Sequence, residues 1–148
     1  MAKRTKKDTS RRSLVVGTNP SSVVSEQFRS IRTNIMYAGV QKDITAVLFT
    51  SDTPVAGKST VASNMAVAYA QAGKKTLLLD ADLRRPTSHY TFEVPNKVGL
   101  STAIVNEIPV SQVISKTTFN NLDLLTSGPV PPNPAELLSV SKFDAIMI

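Results

Sequence analysis

Apolar residues recur at helical spacing in two stretches of the chain. The first runs from Ser21 to Tyr37, where Ser21 or Ser22 can cap a helix whose apolar stripe consists of Val24, Phe28, Ile31 and Ile35. The second runs from Lys58 to Ala72, with packing side chains at Val61, Met65, Ala66 and Tyr69. Both stretches are predicted to be helices, and Gly73 ends the second.

Two short apolar runs lie on either side of the second helix. They are Ile44–Thr50 and Lys75–Asp80, and both are rich in residues that suit a strand buried on two faces. Only Gly73 and Lys74 separate the helix from the second run. A strand, a helix and a second strand joined so closely predict a βαβ unit with a parallel sheet.

The elements predicted downstream are short. In order they are helices at Gly99–Val105 and Pro109–Ser115, a strand at Leu122–Leu125, a helix at Pro134–Leu138 and a strand at Phe143–Ile148. A stiff proline-rich loop precedes the last helix, which Asn133 caps and Pro134 begins. The whole pattern predicts an α/β fold with a mostly parallel sheet flanked by helices.

Composition narrows the possible chemistry. The chain has 148 residues, of which 41% are hydrophobic and 19% charged, as expected for one globular domain. It has no Cys, which excludes disulfides and thiolate metal sites, and its single histidine, His89, leaves little for a zinc site or a His-based triad. No apolar run approaches the roughly 20 residues that cross a bilayer, and the first residues lack the apolar core of a signal peptide. A cytoplasmic location is expected.

The net charge of +6 is concentrated at the start of the chain. The first twelve residues contain six Lys or Arg residues and one acidic residue, Asp8. Residues 1–20 are therefore predicted to be a basic flexible arm, followed by one domain over residues 21–148. Such an arm can contact an anionic membrane weakly, because each cation near the surface contributes on the order of 1 kcal/mol. No base-reading motif follows it, so no specific nucleic-acid partner is predicted.

A polar loop joins the first predicted strand to the helix at Lys58, where helix-end amides attract anions. Gly57 allows close approach of a phosphate, Lys58 supplies a cation, and the Ser59 hydroxyl can bind Mg²⁺. Asp52 replaces the first glycine of G-x-x-x-x-G-K-[ST]. The predicted phosphate cradle, a P-loop for ATP, consists of Thr53, Pro54, Val55, Ala56, Gly57, Lys58, Ser59 and Thr60.

Two carboxylates follow the second predicted strand. Asp80 and Asp82 lie where open α/β sheets bind their ligands, with Arg84 and Arg85 behind them. Such a pair can hold Mg²⁺ and accept a hydroxyl proton, while Arg84 holds an anionic group. The simpler alternative is a helix cap with solvated charges, which explains one aspartate better than two.

From about Ser21 to Leu138 the chain resembles the BY-kinases, the bacterial tyrosine kinases, of the separate cytosolic CpsD/CapB type. Three motifs carry the resemblance: a Walker A loop at Ser51–Thr60, a Walker A′ motif at Leu77–Pro86 and a third family stretch at Ser127–Leu138. The resemblance implies a P-loop NTPase-like kinase in which Lys58 and Ser59 bind ATP and Mg²⁺, and Asp80 and Asp82 serve the metal and the tyrosine hydroxyl. It leaves the division of roles between the two aspartates open.

The resemblance also implies partners. Glu26, Arg29 and Arg32 match the family's E-x-x-R-x-x-R, which joins subunits of a homo-oligomeric ring, although they can equally be a charged helix face. A transmembrane activator, the chain-length-determinant protein, is expected to hold the kinase at the inner face of the plasma membrane. The expected activity is autophosphorylation that tunes exopolysaccharide and capsule biosynthesis.

The sequence departs from the family pattern in several places. Val55 replaces a glycine, the helix after Leu138 is shortened, and the chain ends at Ile148, one position before the expected acidic Walker B residue. The tyrosines are Tyr37, Tyr69 and Tyr90, without a terminal cluster. The sequence therefore predicts a kinase domain truncated before Walker B. One alternative is a MinD/ParA-like ATPase, although Thr53 stands where that class has its signature lysine. The other alternative is a non-catalytic oligomerisation module.

Overall fold

The computed structural model describes residues 14–40, 42–53, 57–139 and 141–147. The chain forms two compact units. The first comprises Met1–Thr76 with Phe119–Leu122, and the second Leu77–Thr118 with Asp123–Ile148. Among the described residues, no helix combines the length and the apolar character that a bilayer crossing needs.

The first unit opens with a short helix, α1 (Val15–Thr18), inside the segment predicted as an arm. Val16 is fully buried, and its backbone is held from both sides. Its N–H donates to Asn64 Oδ1 at 3.1 Å, and its carbonyl accepts from Gln71 Nε2 at 3.3 Å. The described part of the arm is therefore packed into the unit, whereas residues 1–13 lie outside the described residues.

Helix α2 (Val23–Ala38) forms where the first stripe predicted it, with Ser22 as the N-cap. The Ser22 hydroxyl accepts the Ser25 N–H at 3.1 Å, satisfying one of the free amides of the first turn. The predicted apolar stripe is only partly buried, because Phe28 and Ile35 are half-buried whereas Val24 is 48% and Ile31 45% exposed. The completely buried residue of the helix is the polar Ser25.

Helix α3 (Lys58–Gln71) is the central helix of the first unit and confirms the second helix prediction. It is buried on more than one face because its side chains are small or apolar, and Met65, Val67 and Ala68 are each at most 1% exposed. Gly73 takes the left-handed conformation, φ +82°, just after the helix, so the predicted end is confirmed.

A three-stranded sheet has the order β1 (Thr76–Leu79), β3 (Leu122–Leu125), β2 (Ser115–Lys116). The Thr76 N–H donates to Asn121 O and the Asp80 N–H to Leu125 O, so β1 and β3 run parallel. β2 pairs antiparallel with β3, in the register Ser115 opposite Leu124. The fold is α/β as predicted, and the strand prediction at 122–125 is confirmed.

The helices described in the second unit are α4 (Ser88–Thr91), α5 (Leu100–Asn106), α6 (Pro134–Leu138) and α7 (Ser141–Met147), with a 3₁₀ turn at Val110–Gln112. The buried side chains of the hydrophobic core of this unit are Leu83, Leu100, Ala103, Ile104, Val113, Leu125 and Leu137. They belong chiefly to β3, α5 and α6. Gly99 begins α5 where a Cβ would collide with the Thr126 carbonyl oxygen. Glycine thus permits the close packing of this turn.

Three predicted elements are wrong. Residues 44–50 form no strand, since the described sheet offers them no hydrogen-bonded neighbour, so the expected βαβ unit is absent from the described residues. The predicted strand at 143–148 is instead helical over Ser141–Met147, where the segment satisfies its own backbone groups and Phe143 packs against the core. The predicted helix at 109–115 is one 3₁₀ turn followed by β2.

Candidate nucleotide site

The predicted phosphate cradle of the first unit includes the start of α3. Gly57 is the residue before the helix and has φ +77°, a conformation that glycine adopts without steric cost. Among the described residues, no atom outside its chain neighbours lies within 4 Å of the place that its Cβ would occupy. The helix has 14 residues, and the first amides of a helix have no partner within the helix itself, which is why helix starts attract anions.

The side chains predicted to bind phosphate and metal begin this helix. Lys58 is half-buried, whereas Ser59 and Thr60 are exposed. Ahead of them, Thr53 is exposed and its carbonyl accepts the Ser51 hydroxyl at 2.9 Å, while Pro54, Val55 and Ala56 lie outside the described residues. The first turn of α3 therefore has exposed hydroxyls, which are oxygen groups of the kind that can bind Mg²⁺, and the site itself stays a prediction.

In the second unit, Asp80 directly follows β1 and is the centre of a hydrogen-bonded loop. Its Oδ1 accepts the Asp82 N–H at 3.1 Å. Its Oδ2 accepts both the N–H and the hydroxyl of Ser88, at 3.1 and 2.6 Å. Asp82 accepts the Arg85 N–H at 3.1 Å, and the side chains of Arg84 and Arg85 are exposed.

His89 lies beside this loop. Burial lowers the pKa of His89, and the negative charge of Asp80 partly opposes that change. The imidazole stacks on Tyr90 with 4.0 Å between ring centroids. Its Nδ1 is buried and has no hydrogen-bond partner in the described part of the chain. The ring is therefore held mainly as an uncharged group.

The predicted metal ligands are oxygen atoms, the type that Mg²⁺ binds when it is shared with phosphate. Mg²⁺ binds through one or two carboxylates and keeps its other positions for water and phosphate oxygens. The described residues contain no group of three or more His, Cys, Asp or Glu side chains that could hold a metal alone. By chemical type, the Ser59 hydroxyl and the Asp80 and Asp82 carboxylates are oxygen ligands of the kind that Mg²⁺ prefers, and their assignment as its ligands stays a prediction.

The structure places the predicted site residues in both units. Gly57, Lys58, Ser59 and Thr60 belong to the first unit, and the acidic loop with Arg84 belongs to the second. Within the second unit, the structure brings Asp80, Asp82 and Arg85 together through the hydrogen bonds given above. The start of α3 and the acidic loop are therefore each described within their own unit.

The three residues of the predicted subunit contact make bonds inside the first unit. Arg29 forms an ion pair with Glu26 and donates to Pro20 O at 2.7 Å. Arg32 donates to Ala68 O at 2.6 Å, which ties α2 to α3. A surface groove next to Arg32 is lined by Thr33, Met36, Tyr37 and Ala72. It lies at the end of α3 opposite to Lys58.

Sequence reasoning missed two polar side chains of the second unit. Ser88 binds Asp80, and Asn96 binds the backbone of the third motif, donating to Gly128 O at 3.0 Å and accepting from Gly128 N–H at 2.8 Å. Asn96 is 32 residues from its partner, and Ser88 lies beyond the turn after Asp80. Neither spacing belongs to a helix or strand period, so no local pattern could have found these residues.

Comparison with known proteins agrees with these features. A family model described as an AAA domain matches residues 54–132, more than half of the chain. The chain is 49% identical to CapB of Staphylococcus aureus over 133 residues, 90% of this chain and 58% of that protein. It is 50% identical to the tyrosine-protein kinase YwqD of Bacillus subtilis strain 168 over 128 residues, 86% of this chain and 54% of that protein.

Among solved structures, the crystal structure of the chimerical protein CapA2B2 has a similar fold. The TM-score is 0.86 at 49% sequence identity, covering 91% of this chain and 59% of that one. The chain thus spans a little more than half the length of these relatives. The matches confirm the resemblance that the motifs indicated. The chain belongs to the AAA domain family, within which its close relatives are bacterial tyrosine kinases.

Proposed function

We propose that the chain is the nucleotide-binding part of an ATP-dependent protein-tyrosine kinase, an autokinase that regulates exopolysaccharide and capsule biosynthesis. The observation that carries the proposal is the start of α3. Gly57 adopts the left-handed conformation directly before a 14-residue helix, and Lys58 and Ser59 form its first turn. This arrangement suits a triphosphate, and the identity to YwqD supports phosphate transfer to tyrosine.

Each side chain has a role set by its chemistry. The Lys58 ammonium neutralises charge on the terminal phosphates, and the Ser59 hydroxyl, Asp80 and Asp82 hold Mg²⁺. The bound ion supplies charge neutralisation on the phosphate oxygens. The acidic pair also orients the tyrosine hydroxyl and accepts its proton, and the exposed Arg84 holds an anionic group of the nucleotide.

The proposed setting is the inner face of the plasma membrane. A transmembrane activator, the chain-length-determinant protein, recruits the kinase there, and the basic arm adds a weak attraction to anionic lipids. Subunits associate in a ring through Glu26, Arg29 and Arg32. For this contact Glu26 and Arg29 exchange the ion pair that they form within α2 for partners on a neighbouring subunit.

The test of the nucleotide site is a pair of lysine variants. Lys58→Met removes the cation from the first turn of α3, whereas Lys74→Met removes an exposed cation just beyond the other end of the same helix. ATP with Mg²⁺ at 100 times its dissociation constant should stabilise the unmodified chain and Lys74→Met by about 2.7 kcal/mol. We expect Lys58→Met to lose this stabilisation in thermal unfolding.

Two other results would contradict this proposal. A ligand-induced shift that persists in Lys58→Met contradicts the site. The absence of a shift in the unmodified chain contradicts nucleotide binding as a whole.

A further inference from the structure

Asp80 ties both ends of the acidic loop together with one carboxylate. Its Oδ1 receives the N–H of Asp82, two residues on, and its Oδ2 receives two donors from Ser88, eight residues on. A carboxylate has about four lone-pair sites, so these hydrogen bonds engage three of them. The side chain closes the loop while one site remains for a further ligand.

The loop between these contacts carries the charged groups of the proposed site. Leu83 is 2% exposed and anchors the middle of the loop in the core. The Leu83 N–H donates to Ala81 O at 3.0 Å, and Asp82 accepts from Arg85 N–H at 3.1 Å. The Asp82 N–H bonds to Asp80 and the Arg85 N–H bonds to Asp82, so the backbone of both residues is linked to the Asp80 carboxylate through hydrogen bonds.

The hydroxyl of Ser88 is used for Asp80 and not for its own helix. A capping hydroxyl accepts a backbone N–H, whereas the Ser88 hydroxyl donates to a carboxylate oxygen at 2.6 Å. The N-cap of α4 is Thr87, whose side chain makes no capping bond. Ser88 is only 7% exposed, so its bond to a charged acceptor is shielded from water and correspondingly strong.

We propose that Ser88 is a positioning residue, which fixes the Asp80 carboxylate and through it the geometry of the loop that presents Asp82 to Mg²⁺ and nucleotide. The proposal rests on the proposed nucleotide function, which it deepens. Without the hydroxyl, Asp80 Oδ2 keeps only the Ser88 N–H and Oδ1 the Asp82 N–H, so the carboxylate loses the shortest of its three hydrogen bonds and is less restrained about its χ angles.

The experiment compares Ser88→Ala with Ser88→Thr, which restores a hydroxyl, and with Ser101→Ala. Ser101 is a matched control in the same unit, because it is 4% exposed and its hydroxyl donates to Pro129 O at 2.7 Å, outside the acidic loop. Two quantities are measured in the full chain. They are the hydrogen-exchange rates of the Asp82 and Ser88 amides without ligand, and the Mg²⁺ concentration that gives half-maximal ATP affinity.

Ser88→Ala should raise both exchange rates and the required Mg²⁺ concentration by about tenfold each, the effect of losing one charge-assisted hydrogen bond. Ser88→Thr should return both quantities toward those of the unmodified chain, and Ser101→Ala should change neither. In an Asp80→Asn background, the Ser88→Ala change should have a much smaller effect on exchange, since the charged acceptor is already gone.

Unchanged amide exchange in Ser88→Ala overturns the proposal. So does faster exchange with an unchanged Mg²⁺ requirement, since that result describes a purely structural serine. If the unmodified chain binds no ATP at any Mg²⁺ concentration, the proposed function fails, whereas the exchange comparison still decides whether Ser88 holds Asp80.

Discussion

At the scale of single residues, the candidate site depends on groups whose surroundings fix their conformation or charge. Gly57 supplies a left-handed turn before α3, and Ser88 restrains the carboxylate of Asp80. His89 lies beside the same carboxylate with its Nδ1 buried. Burial lowers the pKa of His89 more than the charge of Asp80 raises it, so the fold favours the neutral imidazole.

This preference predicts a pH dependence of stability. In the unfolded chain His89 takes up a proton near its ordinary pKa of about 6.5, whereas in the folded chain it does so at lower pH. The unfolded state therefore binds more protons just below that value, and the free energy of unfolding falls as the pH drops from 7.5 to 5.5. His89→Gln should flatten this dependence in urea unfolding.

Because His89 is the only histidine, the comparison isolates one group. An equally steep loss of stability in His89→Gln would show that the folded state does not disfavour the imidazolium.

At the scale of elements, periodicity predicted helices better than strands. The span and cap of α2, the span and end of α3 and the first turn of α6 follow the sequence pattern. Residues 44–50 have the composition of a buried strand and yet form none, and Leu48 is 88% exposed. A helix satisfies its own backbone, whereas a strand needs a neighbour elsewhere in the chain.

The absence of a buried strand at residues 44–50 can be tested by truncating one side chain. Leu48→Ala should change the free energy of unfolding by less than about 0.5 kcal/mol, because the side chain is already in water. Leu124→Ala is the matched control in β3, where the leucine is fully buried, and should cost about 2–5 kcal/mol. Both values are measured by urea unfolding. A loss above about 2 kcal/mol for Leu48→Ala would show that Leu48 is buried, as the strand prediction requires.

At the scale of the whole molecule, the chain contains the predicted phosphate cradle and the acidic loop but only three tyrosines that could accept a phosphate group. It spans 58% and 54% of the lengths of CapB and YwqD. Of its three tyrosines, Tyr69 is half-buried and burial raises its pKa, and Tyr90 stacks on His89. Tyr37 is 71% exposed but belongs to the last turn of α2.

Incubation of the chain alone with ATP and Mg²⁺ should therefore give little phosphotyrosine. All three tyrosines belong to helices, so their hydroxyls are not free to move to the in-line position at the terminal phosphate that transfer requires. Mass spectrometry of the intact chain measures the incorporation, with Lys58→Met as the background. Strong incorporation that Lys58→Met abolishes would contradict this expectation and make one of the three tyrosines an efficient acceptor.

The sequence by itself determined the two long helices, α2 and α3, the α/β class and the family, because these depend on local periodicity and on motifs that are contiguous in the chain. Gly57, Lys58 and Ser59 could be assigned to the start of a helix for the same reason. The tertiary structure alone decided which face of α2 is buried and which segments have strand partners. It also decided that Ser88 holds Asp80, because contacts between distant residues depend on packing that no local pattern encodes.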